Sequence, residues 1–81
     1  MSRADFPHLS ARVHVALINA AERVLTTAEV TVAAGLPDTP YANIYVWREL
    51  DKLERHGLVE RIVVPASRYR FWRRITPESP N

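Results

Sequence analysis

Apolar side chains recur at helical spacing through the first third of the chain. Leu9, Val13, Ala16, Leu17, Ala20 and Val24 follow one another at three- and four-residue intervals, which puts them on one stripe of an amphipathic helix. The stripe predicts a first helix running roughly from His8 to Val24. The next stretch, TTAEV, carries a different signal. Thr26 and Glu29 have the Ser/Thr-x-x-Glu spacing in which side chains and backbone N–H groups cap one another. A second helix is therefore expected to start at Thr26 or Thr27. Gly35 supplies the left-handed residue that ends it, leaving two turns that bury Val30, Ala33 and Ala34. LPDTP reads as a connector, in which Thr39 suits an N-cap and Pro40 the first helical position. The third helix is expected from Pro40 to about His56, closed by Gly57, with Val46, Leu50 and Leu53 as its buried stripe.

Past Gly57 the period falls to two. LVERIVV and YRFWRRI are β-branched and aromatic runs joined by PASR, and they read as a hairpin. Pro65 ends the first run because it has no N–H to donate to a ladder. Alternation along the second run puts Tyr69, Phe71, Arg73 and Ile75 on one face, with Arg70, Trp72 and Arg74 on the other. Phe71 and Ile75 are assigned to the core and Tyr69 to its edge. Trp72 then shares a face with arginines and lies across from Val59 and Val63. Such an apolar patch calls for a cover, either the arm around Phe6 or a second subunit. Phe6, Val59, Val63 and Trp72 are accordingly the expected dimer or interaction patch. The pattern as a whole predicts a mainly α domain with a small β-hairpin, an α+β class in the order α-α-α-β-β. It spans residues 8–76, between a flexible arm (1–7) and a disordered tail (77–81).

Composition narrows the chemistry. Eighty-one residues make one small domain, and charged residues are 25% of the chain, as in globular rather than disordered proteins. The absence of cysteine excludes disulfides, thiolate zinc sites and a Cys nucleophile. His8, His14 and His56 are too scattered to suggest a metal site. No Ser-His-Asp set, Gly-rich phosphate loop or close carboxylate pair with a plausible pocket stands out, so neither an enzyme nor a cofactor is expected. No signal-peptide pattern or membrane-length apolar run stands out, and a cytoplasmic protein is expected. The net charge of +2 says little, but its distribution is uneven. From Arg61 to Ile75 there are five arginines and no acidic residue, while the acids gather in RELDKLERHG.

Three stretches together resemble the winged helix-turn-helix superfamily, in the style of small bacterial regulators of the MarR, ArsR and PadR kinds. LTTAEVTVAAGL looks like the capped second helix with its closing Gly-Leu. LDKLERHGLVER resembles the end of a recognition helix entering the wing, and RYRFWRRIT the returning wing strand. The interval from Gly35 to Leu50 is longer than in compact members of these families, through either a longer turn or an extra helical turn. The resemblance implies a sequence-specific double-stranded DNA-binding protein, a small transcriptional regulator or repressor acting as a homodimer on two half-sites.

In that fold the third helix enters the major groove. With Val46, Leu50 and Leu53 facing inward, Tyr41, Ile44, Arg48 and Arg55 point nearly opposite, and Tyr45 and Lys52 lie on the flank. Arg48 is the leading candidate for a base contact, Asn43 could pair with adenine if turned outward, and Tyr41 and Tyr45 suit phosphate or thymine-methyl contact. Arg68 and Arg70, near the hairpin tip, are expected to reach phosphates or a minor groove. Two alternatives share these residues. One is a winged-helix module that binds protein, suggested by the acids on the third helix and the Trp72 patch. The other is a phage or plasmid accessory factor for replication or excision.

Overall fold

A computed structural model describes residues 6–75. Three helices and three short strands follow one another as α1 (Leu9–Ala20), β1 (Leu25–Thr26), α2 (Thr27–Ala33), α3 (Pro40–Arg55), β2 (Val59–Ile62) and β3 (Phe71–Arg74). The arm expected over 1–7 lies outside the described residues except for Phe6 and Pro7, and the tail over 77–81 lies wholly outside them. Phe6 is not loose: it is buried with the core.

The helix ends follow from local chemistry. Thr26 caps α2 through a reciprocal box, with Glu29 N–H donating to Thr26 Oγ1 (3.1 Å) and Thr26 N–H donating to Glu29 Oε1 (2.9 Å). Gly35, at φ 79°, lets its own N–H reach Val32 and the Leu36 N–H reach Thr31. Gly57, at φ 75°, repeats this double closure with Glu54 and Leu53, the Schellman arrangement that uses up carbonyls at a helix end. Thr39 Oγ1 accepts from Ala42 N–H at the start of α3, with Pro40 in the first turn. Within α2, Val30, Thr31 and the following Ala34 are buried, whereas Ala33, expected inside, is exposed.

Two expectations are corrected. The first helix stops at Ala20 rather than Val24, because Ala21 takes φ 56° and ψ −117°, outside any helical region. The chain then extends into β1, a third strand that the helical stripe concealed. The order α-α-α-β-β therefore gives way to α-β-α-α-β-β. The antiparallel sheet runs β1-β3-β2, with β3 in the middle.

The second correction concerns which face of β3 is inside. Trp72 pairs with Leu25 on one side and with Arg61 on the other, while Val59 pairs with Arg74. Directly paired residues share a face, so Leu25, Val59 and Trp72, all buried, define the inner one. Phe71 is half-buried on the outer face, and Tyr69 and Ile75 are exposed. Trp72 wins the interior because it has the largest area to bury and its N–H is satisfied there. Its Nε1 donates to Thr27 Oγ1 at 2.9 Å. The core gathers α1 (Leu9, Val13, Leu17), Val30 of α2, and α3 (Ala42, Val46, Leu50, Leu53) around that ring.

Candidate nucleic-acid interface

The solvent-facing side of α3 is a single stripe. Ile44, Arg48, Lys52 and Arg55 are all exposed, spaced at four, four and three residues so that they lie above one another. The acids of the same helix are turned away from that stripe or tied down. Glu49 is buried, with Lys52 Nζ at 3.4 Å from its Oε1. Asp51 and Glu54 both accept from Arg61 Nη2 on β2, at 3.1 and 3.0 Å. Asp51 also pairs with Arg55 at 2.8 Å across one helical turn. The exposed stripe thus carries three cations, of which Lys52 and Arg55 meet acids of their own helix while Arg48 has no acidic partner among the described residues.

Arg61 organises this arrangement, and sequence reasoning counted it only as wing charge. Its guanidinium lies over the Trp72 ring at 5.0 Å and the Trp47 ring at 5.6 Å. The side chain is only 23% exposed. The available signal was the pair Asp51 and Glu54, three residues apart on one helix face and requiring a cation opposite.

At the beginning of α3 the side chains are engaged internally. Phe6, Tyr41 and Tyr45 form a ring triangle with centroids 5.1–5.5 Å apart, and both tyrosines are half-buried. Arg48 lies over the Tyr45 ring at 5.5 Å. Asn43 does not turn outward. Its Nδ2 donates to Asp38 Oδ1 at 2.9 Å, and its Oδ1 accepts from the buried Thr31 hydroxyl, which also lies 2.9 Å from the Thr27 carbonyl. Asn43 thus bridges α2, the connector and α3.

The loop between β2 and β3 projects a second cationic surface. Val64 to Ser67 form a turn closed by Ser67 N–H to the Val64 carbonyl (3.1 Å), with Pro65 leading and Ala66 at φ 67°. Tyr69 N–H donates to Ser67 Oγ at 3.2 Å. Arg68 and Arg70 are exposed, and their guanidinium groups have no acidic partner among the described residues. Arg73, by contrast, pairs with Glu60 across the sheet.

The patch expected from Phe6, Val59, Val63 and Trp72 does not form. Phe6, Val59 and Trp72 are buried within one copy of the chain, by different neighbours, and only Val63, 79% exposed, faces solvent. Phe6 covers the tyrosines of α3 rather than Trp72. Among the described residues no helix is long and apolar enough to cross a membrane. The chain matches no known protein-family model, no curated protein and no solved structure.

Proposed function

We propose that this domain binds double-stranded DNA sequence-specifically, as a winged helix-turn-helix regulator with α3 in the major groove and the β2–β3 loop on the backbone or minor groove. The carrying observation is the outward stripe Ile44–Arg48–Lys52–Arg55, all exposed, with Asp51 and Glu54 drawn toward Arg61 on the neighbouring strand. Arg48 is the base-reading residue of this scheme, since a guanidinium pairs bidentately with guanine. Lys52, Arg55, Arg68 and Arg70 contact phosphates and set affinity. The Arg55 guanidinium is exposed, and its i,i+4 pair with Asp51 stabilises the helix by only about 0.2–0.5 kcal/mol, so a phosphate competes for that cation at little cost. The protein-binding alternative loses support, because Trp72 is buried and Asp51 and Glu54 are engaged by Arg61.

The test is selection of bound fragments from random DNA, followed by fluorescence anisotropy on the selected site and on scrambled duplexes. Arg48→Ala should cost roughly 1–3 kcal/mol on the selected site and flatten the preference. Arg68→Ala should weaken all duplexes alike. No binding at micromolar protein and low salt would remove the DNA reading.

A further inference from the structure

The geometry points to a two-fold dimer of this chain, formed through the groove between α1 and α2. Val15 of α1 and Val32 of α2 stand 54% and 58% exposed on neighbouring helices. Val32 and Val15 form part of the rims of two depressions of about 430 and 250 Å³ that share Ala33. Alanines make the hollow: Ala11, Ala16 and Ala20 line it from α1, and Ala28, Ala33 and Ala34 from α2. Apolar knobs and the small-residue hollows that fit them therefore lie on the same patch. One copy cannot insert its own valines into its own groove. A second copy turned by 180° can, and each copy then fills the other's hollow, which is the self-complementarity of an isologous interface.

Charge leads to the same occupant. Arg12, in the first turn of α1, lines one end of the groove with Ala34. The other end holds Glu29, Asp38 and Arg23, and Arg23 is folded back on the end of α1, with Nε donating to the Ala20 carbonyl at 3.3 Å. One end is therefore net positive and the other net negative. A two-fold axis across the groove brings Arg12 of each copy to the Glu29 end of its mate, giving two opposite-sign contacts around an apolar centre. No side chain of α3 or of the β2–β3 loop lines the groove, so this pairing leaves the proposed DNA surface free. It also stands or falls independently of that surface.

Sedimentation velocity on the full chain, from micromolar to millimolar protein, tests it. The expected result is a concentration-dependent dimer. Val15→Asp and Val32→Asp, both at exposed positions, should each raise the dimer dissociation constant by about tenfold or more, with the helical circular dichroism retained. Charge reversal gives the sharper discrimination. Arg12→Glu alone and Glu29→Lys alone should be monomeric, each bringing like charges together twice. An equimolar mixture of the two should dimerise again, because the mixed pair restores opposite signs at both ends. A wild-type monomer at every concentration overturns the proposal. So does a dimer indifferent to both valine changes, or a mixture that stays monomeric while both variants remain folded.

Discussion

Arg61 carries more of the architecture than any other single charged residue. Its guanidinium joins α3 to β2 through Asp51 and Glu54, and it covers both tryptophans. Its Nε is buried without a hydrogen-bond partner, which offsets part of that gain. Arg61→Ala should still lower stability by about 2 kcal/mol, by removing two cation–π contacts and leaving two half-buried carboxylates facing each other. Arg61→Lys should recover less than half, since an ammonium on a flexible stem does not stack on a ring while reaching two acids. Urea unfolding followed by tryptophan fluorescence measures both, and an unchanged midpoint for Arg61→Ala would refute the role. Asn43 gives a complementary prediction. Because it links Thr31 to Asp38, Asn43→Ala should cost about 1 kcal/mol of folding stability and leave DNA sequence preference unchanged. A shifted preference at intact stability would mean that Asn43 reads bases after all.

At the scale of elements, the strained residue is Ala21, whose φ of 56° with ψ −117° is a region that suits glycine. Ala21→Gly should raise the thermal unfolding midpoint, with a net gain of roughly 0.5–1 kcal/mol after the added freedom of the unfolded chain. A lowered midpoint would mean that this turn is not held as described. The same residue shows what could be read beforehand. The ends of α2 and α3 were legible because Thr26, Gly35, Thr39, Pro40 and Gly57 each have a conformational preference strong enough to act locally. The end of α1 was not, since Ala21 is a good helix former and Val24 keeps the helical spacing. β1 is two residues long and exists only through its pairing with β3, whose partner residues lie more than forty positions later. The facing of β3 was misread for a related reason: alternation gives two faces but not which is inside, and Leu25 decides that from a distance. The outward positions of Ile44, Arg48 and Arg55 were legible from the angular positions of Val46, Leu50 and Leu53, but that of Tyr41 was not, because Phe6 packs against its ring and half-buries it. The engagement of Asn43 was not, because Thr31 belongs to another element.

The molecule as a whole separates its charges by use. Arg61 and Arg73 hold the sheet and helix together through Asp51, Glu54 and Glu60, while Arg48, Arg68 and Arg70 have no acidic partner among the described residues. A net charge of +2 therefore understates the cation available to a polyanion. If Lys52, Arg55, Arg68 and Arg70 each neutralise one phosphate, the plot of log affinity against log salt should have a slope near −3 to −4. Arg68→Ala should bring that slope about one unit closer to zero, measured by anisotropy from 50 to about 300 mM salt. A slope near zero would leave the exposed arginines without the proposed partner.

The central strand of the sheet is also the last of the described elements to be synthesised. Trp72 Nε1 bonds a hydroxyl 45 residues earlier in the chain, and both β1 and β2 pair with β3 rather than with each other. Until Phe71–Arg74 is synthesised, each of the two earlier strands lacks its ladder, and the interior has a gap the size of an indole ring. Helices α1 to α3 can associate during translation, but closure of the core waits for β3, a long-range contact of the kind that slows folding. A chain interrupted just before Phe71 would therefore carry an open core and two unpaired edges, a substrate for proteolysis rather than a slightly shorter domain.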